Sequence, residues 1–413
     1  MAEKINSIVW GDLLIFILLL TGVIYTVKLR FIQFKMFPYI IKKLKNRCSP
    51  AAQFRTFCIS LGAAMGTGNI TGVVSAIAIG GAGAIFWMWV SAFLGMATVC
   101  AENRLSAVFD NEHCKGPMAY IRHGLNAPKL SVIFALCCIL AAFGMGGAVQ
   151  INSLTESISV CTEVSPVVIS GIAFLVIYPV IIGGAERICR TAQYLLPAAA
   201  IIYFLLCMAV IAYNITSIPE IFRNILSEAF GIRQAAGGFS GAALSKALSA
   251  GIRRGIFSNE AGLGSSPILH SSANKASSSK TQCYSSMLEV FTDTMLCCTL
   301  TAVTFLCCPG YNSISDIFSA TIGRFTLPIT AFIIAVFAFC TVIGWYYCGE
   351  TAFRYVFPHR SIIFFSFIFA LTAASGAIFK SQSIWTISDI FNGLMAFPNI
   401  IALILLLKYV RKE

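Results

Sequence analysis

The chain has 413 residues, of which 58% are hydrophobic and 11% charged, with a mean hydropathy of +0.83. A water-soluble globular chain carries about a quarter charged residues, so this composition excludes one and specifies an integral membrane protein. The net charge of +12 resides in lysines and arginines beside apolar stretches, which accounts for it without a nucleic-acid partner.

Apolar stretches of about twenty residues recur with almost no charge inside them, the pattern of spanning α-helices and not of a β-barrel. Eleven are read, at 8–28, 56–79, 84–108, 130–158, 164–183, 191–213, 238–270 with an interruption, 283–307, 326–348, 361–379 and 384–408. The first is too long for the apolar part of a secretory signal and is followed by a basic cluster, not a small-residue cleavage site. That cluster, "KLRFIQFKMFPYIIKKLKNR" with Arg55 beyond it, holds Lys28, Arg30, Lys35, Lys42, Lys43, Lys45, Arg47 and Arg55. It places its side of the membrane in the cytoplasm, and "FIQFKMFPYIIKKLK" is predicted to lie as an interfacial helix against anionic lipid. Counted over all loops, 21 basic residues fall on that side and five on the other, so the N-terminus is expected outside and the C-terminus in the cytoplasm.

Two spans are interrupted. In the second, "AAMGTGNITG" (63–72) puts Gly66, Gly68 and Gly72 beside Thr67 and Asn69. One such cluster reads equally as a close helix crossing, because small residues let backbones approach. The seventh contains "SAGIRRGIFSNEAGLGSSP" (249–267), where Arg253, Arg254 and Glu260 stand among glycines and before Pro267. Ionisable groups at membrane depth mark water-filled sites, and the surrounding Gly and Pro predict an unwound helix. The interrupted spans are five apart. With the first helix set aside they open two groups of five in opposite orientation, the pattern of an inverted-repeat transporter with a midplane site built from broken helices. The expected division is 1–52 for the N-terminal helix and interfacial segment, 53–213 for one five-helix repeat, 214–237 for an extracellular connector and 238–413 for the second repeat.

Other polar residues carry two readings each. Asp293 in "VFTDTMLCC" either gates or coordinates, or accepts hydrogen bonds between helices. Glu102 and Arg104 are expected at a cytoplasmic helix end, and Arg254 and Glu260 are expected to pair with each other or with cytoplasmic groups. The sixteen cysteines include no CxxC, and adjacent pairs such as Cys137-Cys138 and Cys297-Cys298 read as small apolar residues. The four histidines give no zinc or haem spacing. No HExxH, GxSxG or GxxxxGK[ST] occurs, so no enzyme is read, and no repeated filter segment points to a channel.

The stretches 66–98, 237–273 and 391–406, with "GTGNI" and "SNEAGLGS" as their most specific parts, resemble the alanine or glycine:cation symporters, also called sodium:alanine symporters. The resemblance covers nearly the whole chain. It implies an all-α membrane protein with one N-terminal helix before a LeuT-type 5+5 inverted repeat, in a bacterial or archaeal inner membrane. It further implies sodium-driven uptake of a small neutral amino acid by a monomer, with sodium as coupling ion and no other cofactor. Proton-coupled symport and a non-transporting amino-acid sensor on the same fold are the alternatives. By the resemblance, Gly66, Thr67, Gly68 and Asn69 face the substrate carboxylate and a cation, and Phe257, Ser258, Asn259 and Gly262 form the second break. Gln150 in "GMGGAVQINS" either bonds the ligand or makes an interhelical hydrogen bond. The sodium set implied is the carbonyls of Gly62 and Met65 with Thr341 and Cys340 of the ninth span; the family usually has serine at the Cys340 position, and a thiol is a poor ligand for a hard ion. Ala82 stands where the family commonly has proline. Side chains missing at Ala64, Gly66, Gly68, Gly262 and Gly264 predict room for glycine, alanine or serine.

Overall fold

The computed structural model describes residues 2–45, 57–58, 60–111, 113–231, 240–273, 279–379 and 381–410. Of the basic residues counted above, Arg47, Arg55, Arg233, Lys275, Lys380, Arg411 and Lys412 lie outside the described residues, as do the divisions expected at 52/53 and 237/238. Every regular element among those residues is helical.

The chain begins with α1 (Ala2–Val9) and α2 (Asp12–Lys28), then α3 (Gln33–Lys45). Helical residues 60–64, here α4, lead into a break before α5 (Thr71–Gly80), and α6 (Gly83–Phe109) follows. Next come α7 (Pro128–Ser159), α8 (Pro166–Ile182), α9 (Gly184–Tyr213) and the short α10 (Ile218–Ala229). The second half has α11 (Ser240–Asn259), α12 (Ser265–Ala273), α13 (Ser279–Cys307), α14 (Ile314–Thr321), α15 (Thr326–Val356), α16 (Ile362–Ser375) and α17 (Ser381–Leu405).

Among the described residues, seven helices are long and apolar enough to cross a membrane: the run Ala2–Lys28, α6, α7, α9 from Glu186, α13, α15 and α17 from Gln382. The apolar stretches read at 164–183 and 361–379 form the shorter helices α8 and α16, of 17 and 14 residues. The stretches at 56–79 and 238–270 are the broken ones. Helices α10 and α14 had no counterpart among the apolar stretches, since neither is long or apolar enough to register as a span.

Small residues set the packing, as they do where lipid removes any hydrophobic drive between helices. On α11, Gly251 and Gly255 lie one turn apart and face α6; a Cβ at Gly255 would fall 2.2 Å from Ser91 Oγ, and one at Gly251 2.2 Å from the Ala84 carbonyl oxygen. Helix α6 also packs along α13, while α15 packs on α7 and α9. Two long helices contain π-turns, Ala142–Ala148 in α7 and Phe291–Cys298 in α13. Each inserts an extra residue into the helical ladder and turns nearby polar groups toward a common point. Helix α3, the segment expected at the interface, leaves Phe34, Phe37 and Ile41 exposed near Lys35 and Lys42, while Tyr39 stacks on Tyr284 of α13 at 4.3 Å.

One reading of the cysteines is corrected: Cys100 of α6 and Cys283 of α13 form a disulfide. Their separation of 183 residues left no local signal; the packing of α6 on α13 brings their Cα atoms to 4.2 Å.

Candidate functional site

The first break begins where α4 ends. Gly66 N donates to the Ala64 carbonyl at 2.8 Å, too near in sequence for an α-helical turn, and Thr67–Asn69 then form a single 3-10 turn before α5. Closing this turn frees the Thr67 amide, which donates to Gln150 Oε1 at 3.0 Å; Thr67 Oγ1 donates to the same oxygen at 3.0 Å. Gln150 Nε2 in turn donates to the Met145 carbonyl in the π-turn of α7 at 3.1 Å. The interhelical bond read for Gln150 is therefore formed, and it ends on the broken helix. Gly66 has no room for more: a Cβ would lie 2.6 Å from Thr341 Oγ1 and 2.8 Å from Gln150 Oε1.

Asn69 points into α13. Its Nδ2 donates to Asp293 Oδ1 at 2.6 Å and to the Asp293 carbonyl at 3.1 Å. Ser258 Oγ and Thr294 Oγ1 donate to Asp293 Oδ2 at 2.6 and 2.8 Å. The carboxylate is fully buried and joins both broken helices, which favours the acceptor reading, since an unsatisfied buried carboxylate costs several kcal/mol. Asn69 Oδ1 has no hydrogen-bond partner although it is buried. A buried acceptor left open beside a helix break is free to take a donor, from water or a ligand, or a cation.

The ninth apolar stretch, α15, reaches the same point. Thr341 Oγ1 donates to the Gly62 carbonyl at 3.0 Å, and Cys340, also buried, lies against Gly62. Thr341 Oγ1 and the Gly62 carbonyl are two hard oxygens suited to a sodium ion; the Cys340 sulfur adds none. Among the described residues no group of three or more His, Cys, Asp or Glu converges as a metal-binding set.

Aromatic rings cover the site on the α17 side. Phe257 lies over Gly68, where a Cβ would be 3.3 Å from its ring, and its centroid is 5.1 Å from that of Trp385. The Arg254 guanidinium sits 4.8 Å from the Trp385 ring and pairs with Asp389 at 3.6 Å, beside Arg253 at 3.5 Å. This corrects the expected Arg254 and Glu260 pair.

The second break is held by backbone that only special residues adopt easily: Glu260, Gly262 and Gly264 have φ of 56°, 88° and 83°. The Glu260 carboxylate accepts from Trp345 Nε1 at 2.7 Å and from the Ser265 hydroxyl. Asn399 Nδ2 donates to the Gly262 carbonyl at 2.8 Å and to Glu102 Oε1 at 2.6 Å, and Tyr120 donates to Asn399 Oδ1. Glu102 and Arg104 are buried within the bundle, not at its edge, because α6 runs through the packed centre.

Of the residues read from the sequence, Gly62, Gly66, Thr67, Gly68, Asn69, Gln150, Phe257, Ser258, Cys340 and Thr341 meet at one place, and Met65 is buried at the end of α4. Asn259 and Gly262 lie elsewhere. Asn259 lines a small cavity with Ser60, Ser286 and Glu289, and a Cβ at Gly262 would meet Leu18 of α2.

The family model for the sodium:alanine symporter family matches residues 1–413. The chain belongs to that family. The sodium/alanine symporter AgcS of Methanococcus maripaludis is 36% identical, covering 98% of this chain and 94% of that protein. The probable sodium/glutamine symporter GlnT of Bacillus subtilis is also 36% identical, covering 98% and 87%. In structure, a manganese transporter of Eremococcus coleocola aligns with a TM-score of 0.56 at 14% identity, over 86% of this chain and 76% of that one. At that identity the likeness concerns the fold alone.

Within this sodium:alanine symporter family member, several buried or half-buried residues with polar groups were not singled out by the sequence. Trp345, Asn399, Asp389 and Trp385 each touch a break or its cover. His270 Nε2 lies 2.9 Å from Glu289 Oε1, and Ser60 Oγ donates to Glu289 Oε2 at 2.6 Å, tying α12, α13 and α4 together. Asp389 carried a usable signal, an acidic residue inside an apolar stretch. Trp345 carried none, since a tryptophan in such a helix is ordinary.

Proposed function

We propose that the chain is a sodium-coupled symporter that moves a small neutral amino acid, alanine or glycine, into the cell by alternating access. The observation that carries this reading is the unpartnered Asn69 Oδ1 at the first break, beside an amide held only by Gln150 and a carbonyl held only by a threonine hydroxyl. An entering carboxylate takes the Thr67 amide from Gln150, and Asn69 Oδ1 accepts from the ligand's ammonium group or contacts the cation. Sodium takes the Gly62 and Met65 carbonyls and Thr341 Oγ1, with Cys340 beside them contributing little. Phe257, Ser258 and Gly68 close the space around the ligand. Asn259 and Gly262 serve the same break from outside that contact set. The close packing at Gly66 and Gly68, where even a Cβ would press on Thr341, Gln150 or Phe257, supports a small ligand, and so favours the substrate named for AgcS over that named for GlnT.

In this reading the two broken helices belong to a LeuT-like 5+5 inverted repeat, 53–213 and 238–413, preceded by 1–52 and joined by 214–237. The N-terminus lies outside the inner membrane, the C-terminus is cytoplasmic, and one chain is the working unit. Coupling requires that ion and substrate stabilise the same state, so each raises the other's affinity by an equal factor. Purified protein in liposomes, loaded with unlabelled alanine and given labelled alanine outside, is expected to exchange label only with sodium present. Exchange driven equally by a proton gradient without sodium would replace sodium by protons as the coupling ion. Exchange of glutamine with none of alanine or glycine would refute the small ligand.

A further inference from the structure

Helix α3 takes no part in the central site, yet its inward face is firmly seated. Gln33 and Met36 are buried, and Gln33 Nε2 donates to the Phe93 carbonyl of α6 at 3.0 Å. On the α13 side the Tyr39 hydroxyl lies 3.2 Å from Thr281 Oγ1, next to the ring stack on Tyr284. Helix α3 therefore rests on α6 and α13, the two helices that the disulfide joins.

The outward face is apolar and basic at once. Phe34, Phe37 and Ile41 recur at i, i+3 and i+7, one stripe of a helix, and Phe34 is 70% exposed. Lys35 and Lys42, about two turns apart, run along one border of that stripe, and Arg30 precedes it; all three are exposed. No Asp or Glu occurs between Asp12 and Glu102, so the segment holds no carboxylate of its own to set against these cations. Acyl chains topped by headgroups suit both features, since the rings enter the chains while the lysine stems reach up to the headgroups. A neutral bilayer would cover the rings and leave the cations without counter-charge. An anionic one supplies it.

We propose that the outward face of α3 is a binding surface for anionic phospholipid, and that its occupancy supports transport through α13. Phe37 is the link. Its ring, open to the bilayer on one side, packs edge-on against Phe291 at 4.9 Å, and Phe291 is the first residue of the π-turn Phe291–Cys298. Asp293, two residues further on, accepts from Asn69 and Ser258 and so meets both broken helices. Headgroups that hold α3 against α13 keep this turn in the register that meets them. The binding stands apart from the symport reading above, whereas its effect on uptake rests on that reading.

The test uses the full-length protein. Released from micelles holding equal phosphatidylglycerol and phosphatidylcholine, the chain is expected to retain phosphatidylglycerol in native mass spectrometry. A basic side chain beside an anionic surface is worth about fivefold in binding, so joint Lys35→Gln and Lys42→Gln substitution is expected to lower that preference about twentyfold. Both positions are exposed, so the unfolding temperature of the double variant should match wild type. In liposomes, replacing about a third of the phosphatidylcholine by phosphatidylglycerol is expected to raise sodium-dependent alanine uptake about threefold more in wild type than in the double variant. Sodium drawn to a charged bilayer acts on both chains alike and cancels in that comparison. Equal retention of the two lipids by wild type, or a dimer in detergent that Phe34→Ser dissolves, would overturn the lipid surface. Preferential retention with the same uptake response in both chains would overturn the link through α13. Retention of phosphatidylglycerol by a chain that takes up no amino acid would leave the lipid surface standing and remove the symport reading instead.

Discussion

A single methyl group at Gly66 tests the central arrangement most directly. The backbone there, φ −111° and ψ −159°, is open to any residue, so Gly66→Ala acts through space and not through strain in the chain. The added Cβ would lie 2.6 Å from Thr341 Oγ1 and 2.8 Å from Gln150 Oε1, and both distances are too short to be borne. Both side chains must move, and three of their four hydrogen bonds fasten the first break: Thr341 to the Gly62 carbonyl, and the Thr67 amide and hydroxyl to Gln150. At about 1 kcal/mol each, losing all three comes to about 3 kcal/mol, or about a hundredfold in an equilibrium constant. The assay is sodium-dependent alanine uptake in proteoliposomes alongside thermal unfolding in detergent. Gly72→Ala is the control, because a Cβ there meets nothing within 4 Å, and alanine is favoured over glycine within a helix by up to about 1 kcal/mol. Uptake by Gly66→Ala within twofold of wild type, or equal damage from Gly72→Ala, would refute the argument.

Asn69→Leu removes two of the bonds that hold Asp293 and is expected to abolish uptake while membrane insertion, followed by cell fractionation, continues; normal uptake would mean that the motif is mere close packing. Thr341→Val is expected to raise the sodium concentration for half-maximal uptake at least tenfold, and Cys340→Ser, which supplies a hydroxyl beside it, to lower it. Asp110, just beyond the end of α6, is held up to about 7 by burial, against hydrogen bonds from Ser106 and Gly116. A carboxyl raised by folding stabilises the fold fully below its ordinary value near 3.8 and less as pH rises toward 7. Unfolding temperature should therefore fall between about pH 4 and 7, and Asp110→Asn should flatten that slope; an unchanged slope would exclude this carboxyl as its source.

The broken helices were legible because their causes are local: Gly66 and Gly68 in one, Gly262 and Gly264 with Glu260 in the other, each in an otherwise apolar run. Thr341 was found through the resemblance, and no pattern within α15 would have singled it out. What stayed hidden depends on register between distant helices. Glu102 lies three-quarters of the way along an apolar stretch and resembles an end residue until α6 is placed at the centre of the bundle. The choice of Asp389 by Arg254 needed the rotation of α17 against α11, and the Cys100 and Cys283 bond needed the alignment of α6 with α13. Such pairings follow from packing across one to three hundred residues of chain, which periodicity and composition do not encode.

The bond between Cys100 and Cys283 divides the contacts of the site into permanent and renewable ones. Uncatalysed disulfide rearrangement takes minutes to hours, whereas lids and domains move in about microseconds to milliseconds, so α6 and α13 travel as one piece through any working cycle. Glu102 and Asp293 ride on that piece. In the alternating-access cycle proposed above, the links free to open and remake are those that leave it, Asp293 to Asn69 and to Ser258, and Glu102 to Asn399, together with Gly62 to Thr341. These are polar contacts that a ligand or ion could replace, and the fixed pair supplies the frame against which their exchange becomes movement.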